Sequence, residues 1–213
     1  MNQGTLFTIG HSTHPLATFV GLLRTHGITA VADVRSHPYS RRLEHFDREA
    51  LAAELAAVDI RYVYLGEELG ARRTETECYD GDHAAYQRIA SLPKFRKGVD
   101  RLRLGAHKYQ IALMCAEKEP LDCHRTILVC RELREDFRIA HILADGTVEL
   151  HAETEKRLVR QMEIGPTLFD PVFTEEQFIQ QAYDKRAEQI AYRVSQEGVP
   201  RERNGSNRTT EDD

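Results

Sequence analysis

The chain has 213 residues, 41% of them hydrophobic, and a formal net charge of −5. That is room for one domain with a full core and rather short for two, and it excludes a general electrostatic pull toward nucleic acid or anionic membrane. No apolar run approaches the roughly 20 residues that cross a bilayer, the opening Met1-Asn2-Gln3-Gly4 has no basic leader, and four cysteines without an export signal read as reduced thiols. The expectation is a cytoplasmic protein with no membrane partner.

In chain order, Leu6–Ile9 is a short apolar run ending at Gly10, a buried-strand pattern. Pro15 opens a helical pattern through Leu16, Phe19, Val20 and Leu23, closed by Gly27. Residues 28–34 form a second β-rich run. Asp47 can cap a helix over residues 48–58, rich in Ala, Leu and Glu. Residues 60–65 make a third strand ending at Gly66, and 66–92 read as a long loop with a short helix near Ala84–Ile89. A helix is predicted over 95–104, a fourth strand over 111–114 and a helix over 126–133. A fifth strand follows over 139–143, then an Asp145-Gly146 turn and a helix over 152–162.

Strands alternating with helices predict an α/β fold, with a mostly parallel sheet and helices on both faces in a Rossmann-like three-layer arrangement. The domain is expected over residues 1–164, with a C-terminal helical extension over 165–195 and a disordered tail over 196–213. The extension carries a polar helix predicted over 173–194. Ligands bind outside the carboxyl ends of the strands in such sheets. The loops after Gly10, Val34, Leu65 and Met114 are therefore where a site belongs.

Three segments there carry chemistry. The first runs from Cys115 to Arg125. Asp122 is placed to cap a helix, which puts Cys123, His124 and Arg125 in its first turn. Unpaired N–H groups and the helix dipole favour negative charge there, so Cys123 tends toward a thiolate, and the same turn can clamp phosphate or sulfate. Nucleophile and anion clamp both stay open, as does a plain helix cap with Cys123 packed under the sheet. The Cys-to-Arg spacing does not match the loop of cysteine phosphatases. In the second segment, Asp33 and Arg35 fall on one side of a strand end, and Arg41 and Arg42 follow in a loop after His37-Pro38. These arginines suit a phosphate, in a chain where six lysines leave 23 of the 29 basic residues as arginine; a solvated loop with an Asp33–Arg35 pair is the plain alternative. The third is Gly10-His11-Ser12, with His11 available for proton transfer. Leu65 to Gly70, with Arg72 and Arg73, adds two carboxylates and further basic charge. The Cys-x7-Cys-His spacing is not a standard zinc pattern, and no Gly-rich dinucleotide fingerprint or P-loop is present. No metal and no cofactor are expected; a zinc protein, with Cys115, Cys123, His124 and His11 as the ligands in reach, is the third option.

Thr8-Ile-Gly-His-Ser, Asp33-Val-Arg-Ser-His-Pro-Tyr-Ser-Arg41, Leu65-Gly-Glu-Glu-Leu-Gly70 and Cys115-Ala-Glu…Cys-His-Arg125 resemble the four blocks of the bacterial domain-of-unknown-function family four-eight-eight. The resemblance runs from about residue 5 to residue 151. It implies the α/β fold and one shared site made of His11, Asp33, Arg35, Arg41, Glu117, Cys123, His124 and Arg125, but it supplies no reaction. The expected function is an enzyme acting on a phosphate-bearing substrate, a nucleotide or nucleic acid. Arg125, Arg35, Arg41 and Ser12 would bind the anion; Cys123, His124, His11, Asp33 and Glu117 would do the chemistry. A non-catalytic anion-binding or nucleic-acid-binding interaction module is the alternative.

Overall fold

A computed structural model describes residues 4–166 and 174–194. Its sheet has six strands: β1 (Thr5–Gly10), β2 (Ala30–Asp33), β3 (Arg61–Tyr64), β6 (Ile111–Cys115), β7 (Arg138–Ile142) and β8 (Val148–Leu150), in the order β3-β2-β6-β1-β7-β8. All neighbouring pairs are parallel except β7 with β8. The expected mostly parallel sheet is present, with one antiparallel edge strand added beside the Asp145-Gly146 turn.

Alternation along the strands builds two cores. In β6, Ala112 and Met114 join Ile9 and Val31 under Phe19 and Leu23 of α1 (Leu16–Thr25) and Leu51 and Leu55 of α2 (Arg48–Ala56). Ile111, Leu113 and Cys115 face the other way. There they meet α4 (Tyr86–Ser91), α5 (Pro93–Ala106), the helix over 125–133 whose last turn is α6 (Arg131–Leu133), α7 (His151–Gln161) and α8 (Glu175–Ile190). Both faces are covered, so the strands read as continuous apolar runs. Ile179, Ala182 and Tyr183 of α8 belong to this second core, and Thr174 starts that helix with a capping box to Gln177. The helix predicted over 173–194 is thus shorter at both ends; Phe173 and the tail from Ser195 lie outside the described residues. No helix among the described residues is long and apolar enough to cross a membrane.

Residues 66–92 contain the short helix predicted near Ala84–Ile89, as α4, but the rest is not plain loop. They hold α3 (Gly66–Leu69) and a small hairpin of β4 (Tyr79–Asp80) with β5 (His83–Ala84), followed by α4. Asp47 stands at the start of α2, but its carboxylate accepts from the Ser40 N–H at 2.7 Å rather than from the helix.

Topology sets where a ligand can bind. The connection leaving β1 travels to β2, and the one leaving β6 travels to β7, in opposite directions from adjacent strands. Such a reversal opens a crevice at the carboxyl ends of the strands. Gly10 ends β1 and Cys115 ends β6, side by side in register.

Candidate functional site

Cys115 leaves the sheet into a turn that returns through Cys123. The thiols of Cys115 and Cys123 each donate to the same oxygen, Oε2 of Glu117, at 2.9 Å. The His124 Nδ1 lies 3.6 Å from Cys115 Sγ. Its other nitrogen, Nε2, is 2.9 Å from the Val34 carbonyl, which fixes the proton on Nε2 and leaves Nδ1 open toward the sulfurs. The four donor atoms of Cys115, Glu117, Cys123 and His124 lie within 4.8 Å of one another. These residues can hold a metal ion.

The helix begins two residues later than a cap at Asp122 would place it. Residues 120–122 form a 3₁₀ turn capped by the Glu119 side chain, not by Asp122, whose carboxylate meets Arg186 instead. Cys123 is extended and His124 precedes the helix; residues 125–130 then wind as a π-helix, a form that recurs at functional sites. The backbone N–H of Arg125 points at Cys123 Sγ at 3.4 Å. So the helix start does meet the thiol, through one N–H.

The two sulfurs differ in charge. Burial pushes the Cys123 thiol up, but hydrogen bonding with Cys115 and the charges of Arg125 and His124 outweigh it and hold it well below the ordinary cysteine value. Burial, Cys123 and Glu117 keep Cys115 well above that value. Glu117 is raised by burial and by the Cys123 charge. Burial lowers His124, yet the bond and charge of Cys123 raise it on balance. Cys123 is the more acidic of the two sulfurs.

Arg125 is not at the surface. Its side chain is fully buried, with Nη1 on the Glu117 carbonyl at 2.7 Å, Nη2 toward that of Lys118 at 3.4 Å, and Nε toward Thr8 Oγ1 at 3.4 Å. It forms no ion pair with a carboxylate among the described residues. The expectation that it binds an anion meets a guanidinium whose contacts with Glu117, Lys118 and Thr8 all reach into the protein. The Glu117 carbonyl that it holds packs onto Gly10, where a Cβ would lie only 1.8 Å away. Glycine at 10 is a requirement of that close approach.

Asp33 and Arg35 form an ion pair at 2.6 Å, buried rather than in the solvated loop of the plain alternative. Arg35 also donates to the Phe46 carbonyl at 2.8 Å, and Asp33 accepts from Tyr62 Oη at 2.6 Å. Arg35 Nη1 reaches His11 Nε2 at 3.2 Å, while His11 Nδ1 donates to the Ser12 carbonyl at 2.9 Å. Burial and the Arg35 charge push His11 down to about 4. His11 is therefore neutral near pH 7, stacked on Phe46 at 4.3 Å, with both nitrogens engaged. Ser12 takes a left-handed φ of 47° that turns its carbonyl back to His11.

A cavity of about 340 Å³ opens over this edge, lined by Arg35, Cys115, Glu117 and His124 on its floor. Ser12 and Arg41 are not among its lining residues, and Arg41 is exposed. The structure thus brings seven of the nine predicted residues into one connected group, with Cys123 and Arg125 beneath the floor and His11 and Asp33 behind Arg35. Sequence reasoning missed Arg72, Tyr86 and Tyr192, which form the cavity wall. The Arg72 guanidinium stacks over Tyr192 at 4.8 Å. Arg72 stood in view within the basic Arg72-Arg73 pair; nothing in the sequence linked it to Tyr192. A larger cleft of about 640 Å³ between α4 and α8 holds no cysteine. The groups with perturbed titration converge at the smaller cavity instead.

Fold and site together define a three-layer α/β protein with a thiol-rich centre at the crevice of its sheet. The profile of the family described as Domain of unknown function DUF488 matches residues 15–131, more than half of the chain, and the protein belongs to that family. Comparison with curated proteins and with solved structures returned no match.

Proposed function

We propose that this protein is an enzyme acting on a small phosphate-bearing substrate, of nucleotide size, in the cavity over Cys115, Glu117 and His124. One observation carries the reading: Cys115, Glu117 and His124, with Cys123 directly beneath, and the cations Arg35 and Arg72 meet at one cavity of about 340 Å³, within the usual range for small-ligand sites. Arginine suits a phosphate because its planar fork matches the oxygens. The cavity floor sits at the crevice of the sheet, away from any broad basic surface, which favours a small molecule over a nucleic-acid strand.

In this reading Cys123 is the electron-pair donor of the centre. Glu117, hydrogen-bonded to both thiols, takes up and returns protons, and His124 balances the charge. Asp33 and His11 act as positioning residues that hold Arg35 in place. Arg125 sets the field beneath the thiolate rather than touching substrate. Ser12 shapes the turn behind His11.

The test is a melting-temperature screen of phosphate, nucleoside mono- and diphosphates and short oligonucleotides. A ligand at 100 times its Kd should add about 2.7 kcal/mol. We expect a small phosphate ester to raise the melting temperature of the wild type, Arg72→Ala to lose that shift, and Cys123→Ser to keep it while losing turnover. A shift of equal size in Arg72→Ala, or none with any anion, would defeat the reading; a shift with oligonucleotides alone would favour the binding module.

A further inference from the structure

We propose that Cys115, Glu117, Cys123 and His124 bind one divalent metal ion of zinc's softness, with Glu117 as the exchangeable ligand on the cavity side. The proposal rests on the reading of this cleft as the working site and deepens it.

Geometry comes first. Two sulfurs, one imidazole nitrogen and one carboxylate oxygen converge within 4.8 Å. The separations are 2.9 Å from each sulfur to Glu117 Oε2 and 3.6 Å from Cys115 Sγ to His124 Nδ1. A tetrahedral ion with bonds of about 2.3 Å to sulfur and about 2.0 Å to nitrogen or oxygen has mixed edges of about 3.5 Å. A small outward movement of the Glu117 carboxylate reaches that figure.

The surroundings are those of a ligand set. A metal-bound histidine characteristically gives its other N–H to a carbonyl or carboxylate, which fixes the ring. His124 does this to Val34 at 2.9 Å. The Cys123 sulfur receives the Arg125 N–H at 3.4 Å, as a metal thiolate would. Charge balance agrees. Two thiolates, a carboxylate and a divalent ion sum to one negative charge. The fully buried Arg125, which forms no carboxylate ion pair among the described residues, supplies the matching positive one. A buried charge without a counter-charge is costly, and this arrangement provides it.

The donor set favours zinc over harder ions, since two thiolates and an imidazole are soft or borderline ligands. Of the three ligands that line the cavity, Cys115, Glu117 and His124, only Glu117 is exposed, so a phosphate oxygen held by Arg35 and Arg72 can replace its carboxylate at the ion. The local spacing, Cys-x-Glu followed by Cys-His after five residues, is not a familiar zinc pattern. A strand end and a returning turn, rather than one tight knuckle, bring the donors together.

Zinc itself is the probe. The full chain is stripped with chelator, reloaded with zinc and desalted, and its metal is counted by mass spectrometry; a cobalt-loaded sample gives the spectrum. The expected result is one zinc per chain, with cobalt showing a thiolate charge-transfer band and the strong visible bands of four-coordination. Cys115→Ser and His124→Asn should each weaken zinc binding by more than about tenfold, while Cys78→Ser, outside the group, should bind like the wild type. Circular dichroism shows whether each variant is folded, and the wild-type stoichiometry decides the matter without any variant. A wild type that retains no zinc, or a folded Cys115→Ser that binds it as tightly, overturns the proposal. The phosphate-induced melting shift is read separately: zinc without that shift sinks the substrate reading and leaves the metal standing, and the shift without zinc does the reverse.

Discussion

Acid should destabilise this protein well above the range where its carboxylates protonate, because it buries neutral histidines. Burial and Arg35 hold His11 at about 4, burial and Arg134 hold His151 at about 3, and burial and His151 hold His141 well below its ordinary value. The sign follows from linkage. A histidine lowered in the folded state binds fewer protons there than when unfolded, so stability is lost as pH falls through the unfolded value of about 6.5. At pH 5 all three remain neutral when folded, so the loss hardly depends on how far each is depressed. One and a half units at 1.36 kcal/mol each gives about 2 kcal/mol per histidine between pH 7 and pH 5. His124, Glu117 and Glu155 are raised and gain stability over the same interval, which offsets part of the total. The clean measurement is therefore a difference. Urea unfolding of wild type and His151→Gln at pH 7 and pH 5 should show the variant less stable at pH 7, with the gap narrowing by about 2 kcal/mol at pH 5. A gap of the same size at both values would refute the assignment of a neutral His151.

Three other perturbations test the packing of the site. Gly10→Ala forces the Glu117 carbonyl away from a Cβ that would sit 1.8 Å from it; a loss of about 3 kcal/mol is expected in urea unfolding, together with weaker zinc binding. Arg125→Met removes the donor that holds the Glu117 carbonyl at 2.7 Å and the charge beneath Cys123; in chelator-treated protein, Cys123 alkylation should shift to higher pH. Tyr183→Phe leaves the His151 Nε2 without its partner at 2.9 Å; it should cost about 1–3 kcal/mol by thermal or urea melts, with phosphate and zinc binding retained.

Much of the fold is legible in the amino-acid order alone. Ile111-Ala-Leu-Met and Leu6–Ile9 announce buried parallel strands because apolar side chains on both faces leave no other use for such runs. Val148–Leu150 gave no such signal: a three-residue segment with Val148 and Leu150 exposed pairs because β7 lies beside it. The site divides in the same way. Strand ends predict that the segments holding His11, Asp33 and Cys115–Arg125 converge, since topology brings β1, β2 and β6 together; that the Cys115 and Cys123 thiols meet on Glu117 depends on the turn between them and was not legible. Whether Arg125 faces solvent or core is decided by the π-helical register of 125–130, which depends on packing against the sheet and α8. Arg41 and Arg72 look alike in sequence; only the seating of Tyr192 against Arg72 makes one of them part of the cavity.

The interior also links the last described helix to the site, and the link has a direction. Tyr183 gives its single proton to Glu155 at 2.8 Å, a carboxylate paired with Arg134. His151 Nε2 must then donate to the Tyr183 oxygen at 2.9 Å, which leaves its Nδ1 to accept from His141 Nε2 at 2.9 Å. His141 Nδ1 in turn accepts from Thr8 Oγ1 at 2.8 Å, and Thr8 accepts from Arg125 Nε at 3.4 Å. Every donor points the same way, from the cation under the thiolate to the carboxylate under α8. In this chain each histidine has one tautomer, and a proton added to His141 or His151 would have to turn the Thr8 hydroxyl from donor to acceptor. That is why two imidazoles can stay neutral deep in the core, and why protonating either one should disturb both the packing of α8 and the seat of Arg125.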